Sequence, residues 1–323
     1  MKGKCFQPFP WSNHQGQIEL STSGKSPWLE VEIAEQHKSL ARVRAQDLAL
    51  GKRLEVQLKL AHQMANLLAP RFTGETIRMQ LHDEDPGVGC LRMDAPIGAS
   101  TNISPLIPDP YCIGTNGYTE FRKQLKENPL PDWRNRIPVF FWRGSTTGSK
   151  DITCNTLDEN MRFRLCQYSI RHPALVDARF NRVVQCKNSQ SEQEVNKKLL
   201  RNKLISETVN PWHSSLHAWL IDIDGNVNSW GLMWKLLSGC CVLRVYSYRQ
   251  QWFHRHLVPW IHVVPVAPDL SNFEERLEWC LKNRHECELI GKAGQTLGVQ
   301  IISDLSQDLC DATVRYAQHW LRK

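Results

Sequence analysis

From Ile137 onward the chain alternates short apolar runs with longer segments of helical period. Strands are predicted at 138–142, 174–178, 216–223, 241–246 and 261–266, each an apolar run rich in β-branched or aromatic residues. Between them lie predicted helices at about 157–171, 193–206, 229–238 and 249–256, and another begins at Ser271. Thr156 and Glu159 stand at capping-box spacing before the first of these, and Gly239 can stop the third. Strand and helix in strict alternation predict an α/β fold with a parallel sheet covered on both faces.

The first part of the chain is less regular. Residues 1–30, rich in Trp, Ser, Gly and Pro, read as an irregular arm. A helical period runs from about Glu35 to Leu68, with Gly51 as its break. A strand-like alternation, Thr76 to His82, ends abruptly in Asp83-Glu-Asp-Pro-Gly87. Residues 95–116 read as a long functional loop, 118–127 as a short helix, and Asn128-Pro-Leu-Pro-Asp132 as a linker. This gives three segments: an N-terminal α/β domain at 1–132, a Rossmann-like domain at 133–304, and a helix at 305–323 that packs back on the first domain.

Candidate chemistry begins where the strand at 138–142 ends. Val139-Phe-Phe-Trp-Arg-Gly-Ser-Thr-Thr-Gly148 runs from apolar residues into a planar cation, Arg143, a glycine, Gly144, and the hydroxyls of Ser145, Thr146 and Thr147. That mixture suits a phosphate or diphosphate; an ordinary strand exit with a solvated arginine is the alternative. In order after it come Met161-Arg-Phe-Arg-Leu-Cys166, Arg171-His-Pro-Ala-Leu-Val-Asp-Ala178, Ser215 through Trp230, Lys235-Leu-Leu-Ser-Gly239 and Pro259-Trp-Ile-His-Val-Val-Pro-Val266. This ordered series, from about Ile77 to Gly298, resembles glycosyltransferase family 90, which includes the protein O-glucosyltransferases and the fungal capsule xylosyltransferases.

The resemblance implies a GT-B-like arrangement, two Rossmann-like domains with parallel sheets facing a cleft, the first on the acceptor side and the second binding a nucleotide sugar. It also implies roles for particular residues. Asp83 matches the aspartate that acts as general base, although His82 precedes it where the family has arginine. Ser145 and Arg162 match donor-binding positions, with Arg143 and Gly144 chemically plausible beside them; one of the two arginines could be a structural tie instead. The nucleotide-sugar contacts fall on Asn226, Val227, Asn228, Ser229, Trp230 and Gly231. Asn228 or Ser229 is the expected N-cap of the following helix. Gly231 stands where the animal O-glucosyltransferases carry an arginine. The expected compensation is that a glycine lets phosphates approach the backbone amides while Arg162 supplies the charge.

An inverting transfer needs a carboxylate to take the acceptor proton, and the leaving diphosphate gains from fixed cations and hydroxyls. Asp222-Ile-Asp224 is a D-x-D that a metal-dependent transferase would use, but it runs into Asp-Gly-Asn, a strong turn signal. No metal and no cofactor beyond the UDP-sugar substrate is therefore expected.

Composition adds bounds. A 41% hydrophobic and 23% charged chain of 323 residues is globular and long enough for two cores. The net charge of +7 is scattered, which suits an anionic small ligand and argues against nucleic acid. No apolar leader, spanning run or C-x-x-C pair is visible, so a cytoplasmic protein without transmembrane segments is expected, peripheral membrane contact remaining open. The expectation is a glycosyltransferase moving a glucose- or xylose-class sugar from UDP to a hydroxyl of a glycan or glycolipid acceptor, such as a surface polysaccharide or lipopolysaccharide. The rival readings are a metal-dependent transferase built on Asp222 and Asp224, and a nucleotide-sugar-binding protein without catalysis.

Overall fold

A computed structural model describes residues 17–21, 28–35 and 38–321. In chain order the elements are β1 (Gln17–Ser21), β2 (Trp28–Glu32), β3 (Leu40–Arg44), α1 (Lys52–Phe72), β4 (Thr76–Gln80), β5 (Ala95–Pro96), α2 (Pro110–Gly114), α3 (Thr119–Glu127) and β6 (Ile137–Ser145). There follow α4 (Met161–Arg171), β7 (Val176–Arg182), α5 (Ser189–Arg201), α6 (Pro211–Ser214), β8 (His217–Asp222), α7 (Leu232–Leu237) and β9 (Cys241–Val245). Last come β10 (Arg249–Gln250), β11 (Val264–Val266), α8 (Phe273–Lys282) and α9 (Arg284–Trp320). No helix among the described residues is long and apolar enough to cross a membrane.

The described residues divide into two compact units: those within 1–118, 249–254 and 301–323 form unit 1, and those within 119–248 and 255–300 form unit 2. Unit 1 carries a four-stranded sheet in the order β1-β3-β2-β4. Here the expected parallel sheet is corrected: β1 and β3 are parallel, but β2 runs antiparallel to both β3 and β4. The short chain from β2 to β3 and the return through α1 to β4 account for that mixture. Leu29, Val31, Leu60, Met64, Ile77 and Met79 are its fully buried centre. The buried polar groups of α1 are paired: Gln57 Nε2 donates to Gln80 O at 2.8 Å, and Ser39 Oγ lies 2.7 Å from His62 Nδ1.

Other expectations for this unit change as well. Residues 1–16 and 22–27 of the expected arm lie outside the described residues, while 17–21 and 28–32 are strands. The helical period read from Glu35 begins only at Lys52, since β3 occupies 40–44 and a 3-10 turn 45–50. Gly51, at φ +51°, is the break. The expected helix at 249–256 is instead β10, paired antiparallel with β5, followed by a 3-10 turn. Pairing with a strand over 150 residues away overrides the local helical pattern.

Unit 2 holds a five-stranded sheet in the order β11-β9-β8-β6-β7, parallel throughout. From β6 the chain steps to β7 on one side, then crosses back to β8 on the other and continues outward to β9 and β11. The winding therefore reverses between β6 and β8, which makes their C-terminal ends the topological switch point of the sheet. Phe140 stacks on Trp219 across this pair, ring centroids 4.6 Å apart, and both are fully buried. The helix after β6 starts later than the capping-box spacing suggested. Thr156 hydrogen-bonds with Thr153, while Asn160 caps α4 by accepting from Phe163 N at 3.1 Å. The helix after β8 also starts later than expected, at Leu232, with Gly231 at the N-cap in place of Asn228 or Ser229.

Candidate functional site

Two loops leave the switch point of unit 2, one after β6 (146–160) and one after β8 (223–231). Arg162, in the first turn of α4, lies between them. Its Nη1 donates to Ser145 O at 3.1 Å and to Thr147 Oγ1 at 2.6 Å, while Nε and Nη2 donate to Asp224 O and Ile223 O at 2.8 and 3.0 Å. Three bonds to the two loops and one to the end of β6 make this side chain a latch. Its guanidinium also lies over the Trp142 ring, 5.5 Å from the centroid. Burial pushes its pKa down to about 10, against the pull of Asp224 and Asp222, so the group stays cationic at neutral pH.

The latch is tightened around it. Asn160 Nδ2 donates to Thr146 O and Thr147 O at 3.1 and 3.3 Å, and Gly148 N donates to Asn226 Oδ1 at 3.1 Å. Gly225 has no room for a side chain: a Cβ would lie 2.5 Å from Thr147 Oγ1 and 3.0 Å from Arg162 Nη2. Thr146 is fully buried and turned away, its hydroxyl donating to Val184 O at 2.7 Å and accepting from Val184 N at 2.8 Å.

The D-x-D carboxylates are both engaged by protein donors. Asp222 Oδ1 accepts from Lys235 Nζ at 2.7 Å and from Ser229 Oγ at 2.6 Å, with all but 2% of Asp222 buried. Asp224 Oδ1 accepts from Ser229 N at 2.9 Å, and its Oδ2 accepts from the Ser247 hydroxyl. Burial raises the Asp224 carboxyl above its ordinary value, the Ser247 hydroxyl opposing the rise. Asp224 thus ties the loop after β8 to the end of β9, as the turn signal in Asp-Gly-Asn suggested. No group of three His, Cys, Asp or Glu able to hold a metal occurs among the described residues.

Ser145, Arg162, Asn226, Val227, Asn228 and Ser229 are therefore gathered in one cluster. Val227 is buried and its carbonyl accepts from Gly225 N at 3.1 Å. Asn228 is buried too; its Oδ1 accepts from Ser247 Oγ at 3.3 Å, and its Nδ2 has no partner. Trp230 and Gly231 follow, half-buried. Arg143 stands apart. Its Nη2 meets Asp177 Oδ2 at 2.7 Å, and Nη1 donates to Asp177 O and Trp142 O, so it ties β6 to β7. Gly144 makes room for the Trp142 indole: a Cβ there would lie 2.5 Å from the ring. Asp83 belongs to unit 1, where Arg53 Nη1 donates to its Oδ1 at 2.8 Å. His82, which precedes it, is paired elsewhere, with Nε2 2.9 Å from Asp47 Oδ1.

Sequence reasoning missed Asn160, Ser247 and Lys235 as parts of the cluster, and Arg53 beside Asp83. Asn160 had a local signal, an Asx residue directly before a helical run. Lys235 stands in the Lys235-Leu-Leu-Ser-Gly239 motif, four residues after Gly231, whereas Ser247 and Arg53 come from more distant segments and carry none.

Comparison with known proteins follows the same region. The family model for glycosyl transferase family 90 matches residues 112–311, more than half of the chain. Uncharacterized protein 179R of Invertebrate iridescent virus 6 is 28% identical over 183 residues, 52% of this chain and 15% of that protein. Protein O-glucosyltransferase 3 of Homo sapiens is 25% identical over 186 residues, 58% of this chain and 32% of that protein. The chain thus spans less than a third of the length of either relative when matched. Among solved structures, that of Anabaena Alr3699/HepE in complex with UDP-glucose is similar at a TM-score of 0.39 and 10% identity, covering 60% of this chain and 52% of that one.

Proposed function

The chain belongs to glycosyltransferase family 90, and from that premise we propose that it transfers a sugar from a UDP-sugar to an acceptor hydroxyl with inversion. The observation that carries the proposal is the Arg162 latch. It fixes the two loops that flank the switch point between β6 and β8, the place where open α/β sheets receive their ligands. Unit 2 is accordingly assigned the donor.

Ser145 Oγ and the polar groups of 226–231 are the donor contacts in this reading. Arg162 acts through position and charge, since four of its five N–H groups are already committed to the loops and the end of β6. Arg143, neutralised by Asp177, shapes the strand end and leaves the diphosphate to others. Engagement of Asp222 and Asp224 by Lys235, Ser229 and Ser247 favours a diphosphate held by protein groups over one held by a cation on the D-x-D.

The base is assigned to Asp83. Its carboxylate takes the proton of the acceptor hydroxyl as that oxygen bonds to the anomeric carbon. The bond from that carbon to the diphosphate oxygen breaks, and UDP leaves with the electron pair. Relatives named protein O-glucosyltransferase favour glucose as the sugar and oxygen as the attacking atom. A glycan hydroxyl remains the proposed acceptor.

Calorimetric titration of UDP and a panel of UDP-sugars, with and without EDTA, tests the reading. Micromolar binding that survives EDTA is expected, followed by UDP release when an acceptor is added. Binding that requires a divalent cation would move the donor to Asp222 and Asp224. Binding without turnover on any glycan would leave a nucleotide-sugar-binding protein, and no binding of any uridine nucleotide would overturn the proposal.

A further inference from the structure

We propose that the cavity beside the C-terminal half of α5 binds a small phosphorylated sugar, at a site separate from the one assigned to the donor. Its volume is about 520 Å³. Cys154 of the loop after β6 lines it, with Glu194, Lys197, Lys198 and Arg201 of α5 and Asn202, the residue at the C-cap. That volume is ordinary for a small-molecule site and larger than a lone inorganic anion needs. The four α5 residues recur three or four apart, which brings them to one face of the helix.

The lining offers two kinds of group. Lys198 is a fixed cation: its Nζ donates to Cys154 O at 3.1 Å, lies 3.6 Å from Asp158 Oδ2 and sits 5.3 Å from the centroid of the buried Phe163 ring. An ammonium held in this way loses little freedom when an anion arrives. Lys197 and Arg201 stand on the same face with no ion-pair partner among the described residues, and Arg201 carries the planar fork that matches a phosphate. Glu194 and Asn202 are acceptors. Glu194 Oε1 accepts from Gln190 Nε2 at 3.0 Å and Asn202 Nδ2 donates to Lys198 O at 2.8 Å, which leaves Glu194 Oε2 and Asn202 Oδ1 for hydroxyl donors. Cations for a phosphate beside acceptors for hydroxyls are the chemistry that a sugar phosphate presents. The helix dipole favours cations at this end in any case, but it explains neither the cavity nor the carboxylate within it.

Calorimetric titration with glucose 1-phosphate, glucose 6-phosphate, glucose and inorganic phosphate tests the site, each with and without saturating UDP. At least one sugar phosphate is expected to bind about tenfold or more tightly than glucose or phosphate, the worth of a hydrogen bond to a charged group, and UDP should not displace it. Lys197→Met/Arg201→Met alters two exposed side chains. It is expected to lose about tenfold or more of that affinity while its thermal unfolding and its affinity for UDP match the wild type. Sugar phosphate bound equally well by the double variant would overturn the inference, as would its displacement by UDP. Equal affinity for inorganic phosphate would reduce the cavity to an unselective anion contact and overturn it too, and so would failure of both sugar phosphates to bind. None of these results bears on the proposed transfer, which is tested by UDP and the UDP-sugars alone.

Discussion

Arg53 reaches from α1 to Asp83, its Nη1 2.8 Å from the carboxylate Oδ1. Asp83 thus has a guanidinium partner from thirty residues upstream. The same arginine faces the buried Asp109, whose carboxyl it pulls downward against a larger effect of burial. Its Nε and Nη2 are buried without partners.

If Asp83 is the base, Asp83→Asn lowers kcat by roughly 100- to 10,000-fold, the usual contribution of general base catalysis, while the Kd for UDP stays unchanged. Arg53→Met lowers kcat less, again with no effect on UDP. Parallel assays of turnover and UDP titration check both. A full-rate Asp83→Asn enzyme would move the base to a neighbour such as Glu84 or Asp85.

Arg162→Met strands three backbone carbonyls that the latch now satisfies. Loss of about 3 kcal/mol or more in unfolding free energy is expected, together with loss of UDP binding. Arg162→Lys cannot reproduce the fork and is expected to recover only a minor part. Denaturant unfolding of the three proteins gives the comparison.

Asp109 caps α2, accepting from Tyr111 N and Cys112 N, yet burial pushes its pKa up from 3.8 to about 6. The folded state therefore holds this proton more tightly than the unfolded chain does. Its contribution to stability is greatest below about pH 4 and is lost as pH rises through about 6, by an amount on the order of 3 kcal/mol. Asp109→Asn keeps the cap and removes the titration. Urea unfolding between pH 4 and 7 should show the variant gaining on the wild type as pH rises; parallel curves would refute the assignment.

Gly144→Ala forces a methyl group to within 2.5 Å of the Trp142 ring. A cost of about 1–3 kcal/mol is expected from overpacking, with the indole displaced from the Arg162 guanidinium. Tryptophan fluorescence and thermal unfolding would register it.

Much of unit 2 was legible because its strands are short apolar runs whose helices fall between them in sequence. Pattern and pairing agree there, so β6, β7, β8, β9 and β11 were each found near their place. Residues 249–250 were misread because β10 exists only by pairing with Ala95 and Pro96. The strand at 40–44 was hidden by a helical period that continues into α1. In the candidate site, residue types pointed to an anion, but sequence could not say which arginine was already spoken for. Arg143 and Arg162 differ in their surroundings: Asp177 faces one, and the carbonyls of Ser145, Ile223 and Asp224 face the other.

Unit 1 is assembled from three separate stretches of chain, and the last of them begins at Ile301. Tyr316 in α9 accepts from Arg78 N at 3.0 Å, across a separation of 238 residues. During synthesis β2, β3 and β4 must therefore wait for the final turns of α9, while unit 2 has all its residues once Gln300 has emerged. Long-range closures of this kind are slow and leave apolar surface uncovered in the interval. Unit 1 begins earlier in the chain than unit 2 and is completed after it, and its exposed sheet is the stretch that a chaperone would have to guard.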